Sequence, residues 1–114
     1  MDPKEVYMSK PWLKFYPEGV PHEIDVPEKS VPDVFDTMAV RYSSKVALIF
    51  YGKKIQYGKL KELTDRFAAA LDGLGVAKND TVALYLLNSP QYIIAYLGAL
   101  KVGAKVTPIS PVYT

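Results

Sequence analysis

At 114 residues, with 49% hydrophobic and 23% charged, the chain is the size of one domain or part of one, with apolar side chains enough for a modest core. A net charge of +2 without a basic cluster or stripe leaves no electrostatic footprint for nucleic acid, and the lack of cysteine excludes disulfides and thiol chemistry. The charged start "MDPKEVYMSK" has no apolar signal core, and the longest apolar run, between Pro90 and Gly103, falls short of the ~20 residues a bilayer span needs, so a soluble cytoplasmic protein is expected.

Residues 1–31 hold more than half of the nine prolines and show no sustained periodicity. Proline fixes φ and removes a backbone donor, so this stretch reads as an extended arm, followed by an α/β body over 32–114. Within the arm, Trp12, Phe15 and Tyr16 crowd into "PWLKFYPEGVP". Aromatics in an irregular segment usually fasten it to a folded body, and Trp12 is expected to be at least half buried that way.

"SVPDVFDTMAVRYS" predicts a helix of about three turns. Ser30 suits the N-cap, Pro32 the first turn, and Asp33 and Asp36 the positive end of the helix dipole. Val34, Phe35, Met38, Ala39 and Tyr42 repeat at helical spacing. "VALIFYGKKIQY" predicts a β-hairpin turning at Gly52-Lys53. "GKLKELTDRFAAALDGLGV" is the clearest helix, with a stripe of Leu60, Leu63, Phe67, Ala70, Leu71 and Leu74, a Glu62–Arg66 pair, and Gly75 just past its end. Asn79 fits a left-handed turn position.

"TVALYLL" is apolar without alternation, the pattern of a strand buried on both faces of a parallel sheet. "NSPQYIIAYLGALKVG" then predicts a helix capped by Ser89 or Asn88, started by Pro90 and ended by Gly103. Its only formal charge is Lys101, so it should be largely buried. "AKVTPIS" predicts another strand. From residue 46 the order is hairpin, helix, strand, helix, strand, an α/β arrangement with a right-handed βαβ crossover expected.

Motifs with chemistry are scarce. Gly98 to Lys105 loosely imitates a phosphate loop, but the lysine comes one place late, no Ser or Thr follows, and the stretch closes a helix where a phosphate loop opens one. Gly98 is better explained by close helix packing. His22, the single histidine, sits between Pro21 and Glu23 with no cysteine to join it in a metal site. Glu62, Asp65 and Asp72 fit the solvated face of an amphipathic helix, and Tyr85, Tyr92 and Tyr96 fit a core. No catalytic, cofactor-binding or metal-ligating residue is therefore assigned from the residues themselves.

The ordered set "RYSSKVALI", "YGKLKELTDRFAAAL", "LGVAKNDTVALYLLNSPQYIIAYLGALKVGA" and "PVYT" resembles the opening of the large N-terminal domain of adenylate-forming, AMP-binding enzymes: acyl-CoA synthetases, luciferases and peptide-synthetase adenylation domains. The arm, "PWLKFYPEGVPHEIDVPEKSVPDVFD", resembles the start of long- and medium-chain fatty acyl-CoA ligases. The chain departs from the family at Gln56, commonly Thr, at Asn79, commonly Gly, at Leu87, commonly Pro, and at Ser110-Pro111, commonly Asn-Pro.

The resemblance implies a parent that activates a fatty acid with ATP and Mg2+ to acyl-AMP and then transfers the acyl group to CoA. It implies that the phosphate loop, ribose-binding Asp, Arg and catalytic Lys of such a parent follow Thr114. On that resemblance the chain is expected to stop at the cap of the next helix, Thr114, and to be inactive by itself. A stand-alone scaffold or interaction module without chemistry is the other function class. Self-association through uncovered apolar surfaces is expected in either case.

Overall fold

A computed structural model describes residues 2–112. Two short helical pieces interrupt the arm, which the proline content had marked as extended. Helix α1 spans Pro3–Met8 and a 3-10 helix spans Pro11–Phe15. Proline at the first helical position loses no hydrogen bond there and pre-sets φ. Asp2 caps α1 by accepting a bond from the Lys4 N–H (3.0 Å).

Helix α2 (Val31–Arg41) starts as expected: Ser30 Oγ accepts from the Asp33 N–H at 3.2 Å. Its buried side is carried by Ala39, with Phe35, Asp36 and Tyr42 partly covered, while Val34 and Met38 stay exposed. Strands β1 (Val46–Phe50) and β2 (Lys53–Gln56) form the hairpin, with a register shift between Val46 and Leu48. Phe50 pairs with Lys53, so the central turn residues are Tyr51 and Gly52 rather than Gly52 and Lys53. Both have positive φ, 47° and 79°, the type I′ arrangement whose twist matches that of the strands.

Helix α3 (Tyr57–Gly73) and helix α4 (Pro90–Lys101) are each closed by the same device. Past α3, the Val76 N–H bonds to the Leu71 carbonyl and the Gly75 N–H to that of Asp72. Past α4, Ala104 bonds back to Ala99 and Gly103 to Leu100. Both are Schellman motifs, with Gly75 (φ 85°) and Gly103 (φ 78°) supplying the left-handed residue. Strands β3 (Thr81–Tyr85) and β4 (Lys105–Ile109) flank α4 and pair in parallel, from Thr81 opposite Lys105 to Tyr85 opposite Ile109. This is the expected βαβ unit. The hairpin remains a separate two-stranded sheet.

Helix α4 packs on α3, β3 and β4, and α2 lies against both long helices. The core comprises Ala39, Leu60, Thr64, Leu71, Leu84, Ala95, Leu97, Ala99 and Ala104. Thr64 takes the place in the α3 stripe assigned to Ala70 and Leu74, which are exposed. It does so because Gly98 of α4 sits directly against this turn. A Cβ on Gly98 would lie 2.8 Å from Phe67 Cδ1 and 3.3 Å from the backbone of Thr64 and Ala68.

Strand β3 buries one face only. Val82 and Leu84 turn inward, and Thr81, Ala83 and Tyr85 are exposed. Tyr85, read as a core residue, is 61% exposed on that outer face. The chain's radius of gyration is 18.8 Å, against ~13 Å for a compact domain of this length. Thr114, read as the cap of a following helix, lies outside the described residues.

Candidate functional site

Open parallel sheets offer ligands the crevice beyond the carboxyl ends of their strands. Here β3, β4 and the start of α4 converge on such a crevice. A cleft of 320 Å³ is lined by Leu86, Leu87, Asn88, Tyr92, Pro108, Ile109 and Ser110. The local sequence builds it. Ser89 stops the chain after β3 and caps α4, its Oγ accepting from the Tyr92 N–H at 3.3 Å, so the choice between Ser89 and Asn88 falls to Ser89. Pro90 then starts the helix and turns Tyr92 toward the cleft. The polar lining consists of an amide, a serine hydroxyl and a phenol. These groups can hold and orient a ligand. They supply no carboxylate, amine or imidazole for proton transfer near neutral pH.

The charged residues cluster elsewhere. Lys101, whose side chain is only 12% exposed, reaches from the last turn of α4 to Asp36 of α2 (Nζ to Oδ1, 2.5 Å) and to Asp65 Oδ1 of α3. Lys61 completes the group, 2.6 Å from Asp65 Oδ2 and 3.6 Å from Asp36 Oδ1. Burial pushes the Asp65 carboxyl up, but hydrogen bonds from Lys101 and Lys61, reinforced by their charges, outweigh it and hold the carboxyl below its usual value. Lys61 is raised chiefly by its hydrogen bond to Asp65, against the opposing effect of partial burial. Asp65 thus belongs to a three-helix junction, not to the solvated face assigned to it. The signal for this was present: a lone cation in an apolar helix needs counter-charges close by. Glu62, by contrast, faces solvent between Lys59 (2.8 Å) and Arg66 (3.4 Å).

The remaining candidates are scattered. Gly98 lies inside α4, Gly103 ends it and Lys105 opens β4, so the phosphate-loop imitation surrounds the carbonyl end of a helix, where the dipole disfavours an anion. His22 packs edge-on to Tyr16, with ring centroids 5.8 Å apart. Trp12 is 37% exposed and packs against Tyr7 at 5.3 Å. The arm's aromatics therefore meet one another, and Phe15 remains largely exposed. Among the described residues no group of three or more His, Cys, Asp or Glu is placed to hold a metal ion.

Fold and cleft together define an α/β segment: a parallel pair with its crossover helix and, among the described residues, a crevice at the strand ends whose polar lining is an amide, a serine hydroxyl and a phenol. Residues 35–114 match the family model described as AMP-binding enzyme. The chain belongs to the AMP-binding enzyme family. It is 41% identical over 108 residues to the long-chain-fatty-acid–CoA ligase of Bacillus subtilis and 44% identical over 110 residues to that of Yersinia pestis, covering 93% and 94% of this chain. It spans 19% of the length of each of those relatives. Among solved structures it resembles the N-terminal subdomain of Klebsiella oxytoca NpsA, with a TM-score of 0.73 and 37% identity over 75% of this chain and 23% of that one.

Proposed function

We propose that this chain is part of the supporting frame of a fatty acid–CoA ligase. The observation that carries the reading is its 41–44% identity, over nearly its whole length, to long-chain-fatty-acid–CoA ligases. In the proposed reaction a fatty-acid carboxylate oxygen attacks the α-phosphorus of ATP and displaces pyrophosphate, leaving an acyl-adenylate. The thiol of CoA then attacks the acyl carbon, a thioester forms, and AMP departs with the bonding pair.

This chain's part is structural. Helices α3 and α4, locked by Lys101 and Gly98, hold β3 and β4 so that their carboxyl ends share one crevice. A chain with this content should not catalyse either step alone. Magnesium would offset phosphate charge in such a reaction. The carboxylates of Asp36, Asp65 and Glu62 are already held by lysine or arginine, so they do not fit as its ligands, and no step is assigned to them. The same reading takes residues 1–31 as an arm and 32–114 as part of the AMP-binding N-terminal domain, in a cytoplasmic enzyme. Among the described residues no helix is long and apolar enough to cross a membrane.

Self-association of the chain belongs to this proposal. Its motive is the exposure of large apolar side chains, Ile49, Tyr85, Leu87 and Ile109 among them. The other class, a stand-alone scaffold, shares the fold but not the chemistry. The encoding gene separates the two. A reading frame that continues into a Ser/Thr/Gly-rich loop ending in Pro-Lys-Gly, and whose product forms acyl-CoA from fatty acid, ATP and CoA, supports the ligase. A stop codon after Thr114 supports the scaffold.

A further inference from the structure

We draw no further inference here: the strongest candidate, the apolar cleft between the hairpin and helices α3 and α4, lined by Phe50, Ile55, Leu63 and Ile94 with Lys53 and Lys54 beside them, carries none because nothing in the structure shows what covers it.

Discussion

Gly98 shows how much one missing methyl can decide. Its absence lets α4 approach α3 until a Cβ would meet Phe67 at 2.8 Å and two backbone groups at 3.3 Å. Alanine would gain up to about 1 kcal/mol of helix propensity but lose about 1–3 kcal/mol to overpacking, since the Phe67 ring must shift and the Thr64 and Ala68 backbone atoms cannot turn aside. Gly98→Ala is therefore expected to lower stability by up to about 2 kcal/mol, read as a lower urea midpoint at unchanged slope. Gln56 gives the opposite case. It has the backbone of an N-cap for α3 (φ −77°, ψ 157°) but makes no side-chain cap bond, its amide donating instead to the Ser44 carbonyl at 3.1 Å. Gln56→Thr should supply the missing acceptor and raise stability by about 0.5 kcal/mol, with a higher urea midpoint. Gly98 and Asn79 (φ 75°) were legible in the sequence, because glycine inside a packed helix and asparagine at a turn have few other uses. The hairpin turn was not: Tyr51 at φ 47° is imposed by strand pairing, and nothing in its residue type announces it.

At the scale of elements, the junction of Asp36, Lys61, Asp65 and Lys101 ties three helices together. Removing Lys101 leaves the two carboxylates to share Lys61 alone. Loss of a buried partner is costly, but these carboxylates are partly solvated, so Lys101→Met should destabilise by only about 1–2 kcal/mol. The pH dependence follows from the two shifts. The Asp65 carboxyl is depressed in the fold, so its contribution is present above the ordinary value of ~3.9 and is lost as pH falls through the lower folded value. Lys61 is raised, so its contribution is complete below ~10.4 and is lost as pH climbs through the higher folded value. Urea midpoints should hold level from about pH 5 to 9 and fall outside that window. They should fall less steeply in acid for Asp65→Asn, and an identical acid slope in that variant would show that Asp65 is not the group responsible.

The helices and strands of the body were legible because caps, glycines and apolar spacing agreed. The junction was only half legible. Lys101 stood out, but its partners lie 65 and 36 residues away along the chain and only packing brings them together. In the arm, Pro3 and Pro11 start short helical pieces instead of breaking them, because proline at the first helical position loses no hydrogen bond. Burial of "TVALYLL" on both faces was read from a pattern typical of wide parallel sheets, whereas β3 has a single neighbour here and keeps one face and one edge open.

Over the whole molecule, the parts that could bind and the parts that carry charge are separated. Among the described residues the polar groups lining the crevice at the ends of β3 and β4 are hydroxyl and amide groups, whereas Asp36, Lys61, Asp65 and Lys101 serve the helix junction. That separation agrees with the proposed role in a supporting frame, in which the helix junction gives rigidity behind the crevice. The most direct test of this account is pyrophosphate release by the 114-residue chain itself, with ATP, Mg2+, CoA and a panel of fatty acids. The account predicts release indistinguishable from a blank without protein. Fatty-acid-dependent release clearly above that blank would contradict it, because it would require reactive groups that these elements do not bring together.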